Sequence, residues 1–210
     1  MIVDAAIERY LLSLAPERSR IQRTIENDPP AAIVGPLEGH FLYLLAKIND
    51  SRRILEIGTA TGYSTLWLAH ALPPDDGHIV TIERDPGRAA TARANFVSAG
   101  YAERIEVREG DAFAVLPPLE DRFDFIFVDI LRNLSRPEEA PQLYEICLSL
   151  LQPAGLLVAD NVLVDAQVIM PNPAPRVQGI LEWNRCVAGE MEATILPLRD
   201  GIAIGRKSNY

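Results

Sequence analysis

Short apolar runs alternate with helical patterns along most of the chain. Seven runs predict strands: RILEIG, HIVTIE, RIEVREG, FDFIFVD, AGLLVAD, MEATILPL and GIAIGRK. Because helical segments separate the first five, these five are predicted to be parallel strands of βαβ units. The last two flank Asp200 and Gly201, which predicts an antiparallel hairpin. The pattern therefore predicts an α/β fold with a seven-stranded, mostly parallel sheet and helices on both faces.

The helical patterns begin before the first strand. IVDAAIERYLLSL and GPLEGHFLYLLAKIN predict two helices there, and five further segments follow the first five strands: YSTLWLAHAL, PGRAATARANFVSAG, the short AFAVLPPL, PEEAPQLYEICLSLL and VQGILEWNRCVAG. A length of 210 residues suits one domain with a sizeable core. We predict a single domain over residues 1–210, in which residues 1–35 form an N-terminal helical extension.

Charge narrows the range of partners. The chain has 29 acidic and 20 basic residues, a net charge of −9, and no block of Lys or Arg, which argues against nucleic acid and against an anionic membrane. The start carries Asp4, Glu8 and Arg9 and is not a signal peptide, and no stretch is apolar enough to cross a bilayer. Two cysteines, Cys147 and Cys186, make no disulfide framework. We expect a cytoplasmic protein.

Candidate chemistry lies where the strands end, because ligands of open α/β sheets bind at the carboxyl ends of the strands. The first strand runs into GTATGYS, where Gly58 and Gly62 bracket a turn that enters a helix, as in a site for an anion or simply in a tight turn. Glu83 ends the second strand, in the position of a ribose ligand or of a solvated charge. Asp111 follows the third strand, either as a helix cap or near an adenine.

Two ligand classes compete for such a pocket. A dinucleotide site requires G-x-G-x-x-G, but Ala60 and Thr61 stand between the glycines of this turn. The pattern fits better a ligand with one adenosine and a small charged tail, such as S-adenosylmethionine (SAM). Ser64 and the backbone N–H groups of the turn would then hold the methionine carboxylate.

Six segments in order, LEIGTATGYS, TIERDP, EGDA, FDFIFVD, LLVADNVL and DGIAIGRK, resemble the cation-dependent O-methyltransferases, the family of the caffeoyl-CoA and catechol enzymes. The resemblance runs from about Val34 to Lys207 and implies a Rossmann-like class I methyltransferase fold, a small hydroxylated acceptor and a homodimer. It also implies a set of SAM-binding residues: Val34, Glu56, Gly58, Thr59, Ser64, Glu83, Ala112 and Asp129, to which the strand-end argument adds Asp111.

The resemblance further implies a divalent metal held by Asp129, Asp160 and Asn161. Two carboxylates and an amide are hard oxygen ligands that suit Mg²⁺, Mn²⁺ or Ca²⁺. Asp129 and Arg132 are the candidate catalytic residues.

Arg132 stands where the family commonly has a Lys that is its proposed general base. Because Arg stays protonated, Arg132 is a poor base, although it can stabilise an anion. Leu131, Ser135 and Val164 also depart from common family residues. The first hypothesis, implied by the resemblance, is a metal-dependent SAM O-methyltransferase that acts on a hydroxyl of a small aromatic acceptor of the catechol or phenol kind. The departures keep a second hypothesis open, a SAM-binding sensor with weak or lost catalysis. The third, an NAD-dependent oxidoreductase, is disfavoured by the missing glycine.

Overall fold

The computed structural model describes residues 5–27 and 33–209. The chain forms two compact units, Met1–Val115 and Leu116–Tyr210. Eight α-helices and seven strands lie within the described residues. All seven strands that the sequence predicts are present, three in the first unit and four in the second. Residues 2–4, the start of the first predicted helix, lie outside the described residues.

The first unit begins with helices and contains three strands. Its helices are α1 Ala5–Leu14, α2 Arg20–Glu26, α3 Gly35–Ile48, α4 Tyr63–Ala71, α5 Pro86–Ala99 and α6 Ala112–Val115. Its strands are β1 Arg53–Ile57, β2 His78–Glu83 and β3 Ile105–Glu109. They lie in the order β3-β2-β1 with both pairings parallel, so their carboxyl ends share one edge.

The second unit contains the other four strands: β4 Phe123–Val128, β5 Leu151–Asp160, β6 Glu192–Leu196 and β7 Ile202–Arg206. Two helices separate them, α7 Glu139–Leu150 and α8 Pro175–Glu190. The strand order is β4-β5-β7-β6, with β4 and β5 parallel and β7 antiparallel to both neighbours. The predicted hairpin is therefore confirmed. It turns at Leu198–Gly201, where the Gly201 N–H donates to the Leu198 carbonyl over 2.8 Å.

Burial explains why these segments form strands. All six residues of β4 except Asp124 are buried, and β1 and β2 are buried beyond their first residues, as expected of parallel strands covered on both faces. Strand β5 begins three residues earlier than the AGLLVAD run predicts, since Leu151 pairs with Phe123 across an irregular register.

Helix α2 is absent from the sequence prediction, yet its start carries a recognisable signal. The Ser19 hydroxyl accepts from the Gln22 N–H over 3.2 Å, and the Gln22 side chain accepts from the Ser19 N–H over 3.0 Å, which together form a capping box. The helix therefore starts where the S-x-x-Q motif stands. In the described part of the chain no helix has the length and apolarity needed to span a membrane.

Candidate functional site

The turn after β1 is built on left-handed backbone. Gly58, Ala60 and Gly62 have φ of 107°, 47° and 88°. The N–H groups of Gly58 and Thr59 both donate to the Ile82 carbonyl of β2, over 3.0 and 3.1 Å. A Cβ on Gly62 would lie 2.4 Å from the Phe96 ring of α5, so glycine is required there for space as well as for conformation. The turn that the glycines predict is present, and α4 starts directly after it.

The Glu83 carboxylate accepts hydrogen bonds from this turn and from the turn that follows β2. Its Oε2 accepts from the Ala60 N–H over 2.8 Å, and its Oε1 accepts from the Asp85 N–H over 2.9 Å. The residue is 6% exposed, so the solvated strand-end charge considered from the sequence is not what the structure shows. A carboxylate oxygen can accept more than one hydrogen bond, so Glu83 can hold the loops and still accept from the hydroxyls of a ligand.

Glu56 lies within a buried group of hydroxyls. Its Oε2 accepts from Thr65 of α4 and, over 2.6 Å, from Thr81 of β2, and the Thr59 and Thr81 hydroxyls are 2.6 Å apart. Burial raises the pKa of the Glu56 carboxyl to about 7, although the Thr65 and Thr81 hydroxyls favour the charged form. The Ser64 hydroxyl also favours the charged form, and the second oxygen, Oε1, is buried as well. Glu56 is a predicted SAM-binding residue, whereas Thr65 and Thr81, which lie 9 and 25 residues away, were not predicted.

The other predicted SAM-binding residues of this unit occupy caps and helix starts. The Asp111 Oδ1 accepts from the Phe113 N–H over 2.9 Å, so the structure shows the helix cap, one of its two sequence alternatives, and Ala112 follows it in α6 at 8% exposure. Ser64 is the second residue of α4 and is buried. Val34 is the N-cap residue of α3 and is also buried.

Asp129, Asp160 and Asn161, the predicted metal ligands, come together in the second unit. The Asn161 amide nitrogen lies between the two carboxylates, 3.2 Å from Asp129 Oδ1 and 2.7 Å from Asp160 Oδ2. The Asn161 N–H also donates to Asp160 Oδ1 over 2.6 Å. Asp160 is 7% exposed, whereas Asp129 and Asn161, which follow the carboxyl ends of β4 and β5, are partly exposed.

These three residues fit a hard divalent cation. Within residues 5–27 and 33–209 no three His, Cys, Asp or Glu side chains form a metal cluster, so a third protein ligand beside Asp129 and Asp160 would be of another kind, such as the amide of Asn161. The Asn161 amide carries an oxygen acceptor as well as its NH₂ group, and the terminal torsion of Asn is broad and roughly two-fold. The donor set is then two carboxylates and one carbonyl oxygen, as Mg²⁺, Mn²⁺ and Ca²⁺ prefer.

Arg132 is not isolated. It lies in the short turn Leu131–Asn133 after β4, and its guanidinium forms ion pairs with Asp165 and, over 3.3 Å, with Asp200. Neither partner was predicted, because they lie 33 and 68 residues further along and no motif connects them to Arg132. That Arg132 is catalytic stays a prediction.

Known proteins of one kind are similar to this chain along most of its length. A family model described as O-methyltransferase matches residues 17–208. The catechol O-methyltransferase of Niastella koreensis is 38% identical over 187 residues, covering 83% of this chain and 82% of that protein. Caffeoyl-CoA O-methyltransferase 1 of Eucalyptus globulus is 33% identical over 184 residues, which are 81% of this chain and 72% of that one.

Solved structures agree with these relatives. The O-methyltransferase TomG of Streptomyces achromogenes, involved in tomaymycin synthesis and solved in complex with SAM, superposes with a TM-score of 0.84 at 33% identity, covering 97% of this chain and 96% of that one. The O-methyltransferase of Bacillus cereus, solved with SAH, gives 0.85 at 32% identity and covers 97% of each chain. The predicted class I fold is confirmed by these likenesses.

Proposed function

Because this chain belongs to the O-methyltransferase family, we propose that it transfers the methyl group of SAM to a hydroxyl of a small aromatic acceptor of the catechol or phenol kind, with the help of a divalent cation. The observation that carries the proposal is the contact among Asp129, Asp160 and Asn161. Methyl transfer is inferred from family membership alone. A metal, and an acceptor that binds metals, are expected because the oxygen ligands of these three residues lie together.

SAM is supported as the methyl donor by the first unit. The N–H groups of the turn at residues 58, 59, 60 and 62 donate within the protein, so an anion such as the methionine carboxylate would bind at the first N–H groups of α4, from Tyr63 onward. Glu83 stands beside that turn with acceptor capacity for ribose hydroxyls. The buried carboxyl of Glu56, whose pKa is raised to about 7, offers an acceptor whose charged form a cationic group of the ligand would favour.

The chemistry needs an ionised acceptor oxygen. A divalent cation held by Asp129, Asp160 and Asn161 would lower the pKa of an acceptor hydroxyl, so that an anionic nucleophile exists near neutral pH. The oxygen then attacks the methyl carbon, the methyl–sulfur bond breaks, and the sulfur takes the electron pair as a neutral thioether. Since cationic donor and anionic acceptor lose their charges together, placement and exclusion of water should supply much of the rate.

Arg132 does not suit the role of the base that removes the proton. Arginine side chains as a class are poor bases, and the Arg132 guanidinium is already paired with two carboxylates. The proton released from the acceptor would therefore pass to water or hydroxide. The rate should then depend on hydroxyl acidity and rise with pH until the acceptor is ionised.

A methyl-transfer assay with a matched acceptor pair tests this proposal. We expect methylation of a catechol in the presence of Mg²⁺ or Mn²⁺, loss of turnover in excess chelator, and recovery when the metal is added back. The isomeric diol with hydroxyls in the meta position cannot chelate a metal and should react much more slowly. Full turnover in excess chelator, or equal rates on both diols, would rule out the metal role.

The sensor hypothesis has one observation in its favour, the involvement of Arg132 in ion pairs where the family commonly has a Lys. Tight SAM binding by calorimetry, together with no methyl transfer to any chelating hydroxyl, would favour it. A cytoplasmic location, a homodimer and the absence of nucleic-acid or membrane partners remain predictions.

A further inference from the structure

The segment that follows the predicted metal ligands has an unusual backbone. Asn161, Val164, Asp165 and Ala166 all have positive φ, of 64°, 49°, 52° and 62°. Non-glycine residues rarely adopt this left-handed conformation, and for the β-branched Val164 it is a genuine outlier. Three such residues in succession, Val164–Ala166, persist only when surrounding contacts hold them. We call these three residues the left-handed segment.

Some of the contacts that hold this segment come from the hairpin between β6 and β7. The Val162 N–H donates to the Gly201 carbonyl over 3.2 Å, and the Leu163 N–H to the Asp200 carbonyl over 2.9 Å. The Asp165 N–H donates to the Asp200 carboxylate, over 2.5 Å to Oδ1. Asp200 therefore holds the loop through its backbone and through its side chain.

Arg132 contributes two ion pairs to the same region, and these two are not equal. The Asp165 side chain is 68% exposed, so its pair with Arg132 is screened by water and contributes little. The Asp200 side chain is only 17% exposed, and its Oδ2 is buried without a hydrogen bond within the described residues. The Arg132 guanidinium, 3.3 Å away, is the charge that Oδ2 faces. Losing Arg132 would leave that buried oxygen uncompensated.

We propose that Arg132 is a positioning residue: through Asp200 it holds the left-handed segment, and with it the loop that begins at Asp160 and Asn161, in one conformation. The Arg132 guanidinium would then act on the protein and not on the acceptor oxygen. A permanently charged, forked guanidinium suits this task, because it can bind two carboxylates at once and does not titrate. The consequence for catalysis rests on the proposed function, but the structural claim does not.

Amide hydrogen exchange tests the claim without SAM, metal or acceptor. The reporters are the Leu163 and Asp165 amides, which donate to Asp200, with the amides of β5 as internal reference. In Arg132→Met we expect exchange at both reporters to be about tenfold faster, as for an uncompensated buried acceptor. In Asp165→Asn the change should be about twofold at most, since only the exposed pair is weakened. Arg132→Lys, which keeps the charge, should restore most of the protection.

Arg185→Met is the matched control, because Arg185 is also an exposed arginine paired with a carboxylate, Glu182, over 2.8 Å. It should leave both reporters unchanged. Unchanged reporter exchange in a folded Arg132→Met protein, or an equal acceleration in the Arg185→Met control, would overturn the proposal. Because the exchange is measured without any ligand, its outcome does not depend on whether an acceptor is methylated.

Steady-state kinetics separates positioning from direct action. If Arg132 positions the loop, Asp200→Asn should lower kcat/KM as Arg132→Met does, the double variant should lose no more than either single one, and the shape of the pH–rate profile should not change. If Arg132 instead stabilises the acceptor anion directly, Asp200→Asn would release it and leave kcat/KM unchanged or raised. That second pattern would overturn the proposal, even with methyl transfer intact.

Discussion

Glu56 allows a quantitative prediction about stability and pH. Its carboxyl is fully buried, and burial raises its pKa from 4.5 to about 7. Below pH 4.5 the carboxyl is protonated in both the folded and the unfolded protein, so it contributes no pH dependence. Between pH 4.5 and 7 the unfolded chain loses the proton while the folded protein keeps it, and stability therefore falls as pH rises. Above pH 7 both states are ionised and the loss is constant.

The size of the loss follows from the shift. A difference of about 2.5 pKa units corresponds to about 3 kcal/mol at 1.36 kcal/mol per unit, of which the steepest part lies between pH 5 and 7. Glu56→Gln has nearly the same shape, keeps an oxygen acceptor for Thr65 or Thr81, and cannot ionise. The variant should therefore gain about 3 kcal/mol relative to the native chain as pH rises from 4.5 to 8.

The assay is urea unfolding of both proteins at half-unit steps from pH 4.5 to 8.5, followed as the difference in the free energy of unfolding. Taking the difference removes the other groups that titrate in this range. A difference that stays constant with pH would refute the reasoning, because it would mean that Glu56 has the same pKa folded and unfolded. A difference that moves in the opposite direction would mean that hydrogen bonds from the hydroxyls outweigh burial.

Three further predictions concern binding, turnover and packing. Glu83→Gln should weaken SAM binding in calorimetry by about 1–3 kcal/mol, since one charge-assisted acceptor is lost, and unchanged affinity in a folded variant would exclude the ribose role. Asp160→Ala should lose turnover in the metal-supplemented assay while keeping SAM affinity, whereas Glu145→Gln, at an exposed carboxylate on α7, should change neither. Gly62→Ala should lower the free energy of unfolding by roughly 1–3 kcal/mol because of its positive φ and the Phe96 ring, whereas Gly189→Ala, with open space around it, should not destabilise.

The strands could be predicted from the sequence because their signal is local. Each apolar run is bounded by turn residues, and β1, β2 and β4 are buried along most of their length, so their pattern needs no knowledge of distant contacts. Helix α2 has a local signal too, the capping box of Ser19 and Gln22, but its seven residues are too few for a clear apolar period. Reading that motif would have found the helix.

Some contacts around the candidate site are local in sequence, and others are not. Asp160 and Asn161 are adjacent in sequence and follow one strand, so their meeting is a local matter. The pairing of Arg132 with Asp165 involves the left-handed backbone at Val164–Ala166, which no glycine in the sequence indicates. Likewise, the sequence allowed two roles for Asp111, a helix cap or an adenine ligand. The hydrogen bond from the Phe113 N–H shows that Asp111 is the cap. Backbone conformations at non-glycine residues are thus the part that pattern reasoning could not supply.

The charged candidate residues of each unit are bound to the protein before any ligand arrives. Glu83 accepts two backbone N–H groups, Glu56 accepts two hydroxyls, and the Arg132 guanidinium faces two carboxylates. Methyl transfer from a sulfonium to an oxygen anion removes charge, so groups that are already fixed need not reorganise as the charge disappears. Substitutions that break these fixing contacts should therefore act through placement. They should weaken ligand binding and mobilise loops, and the pH dependence of the chemical step should keep the shape that the acceptor hydroxyl gives it.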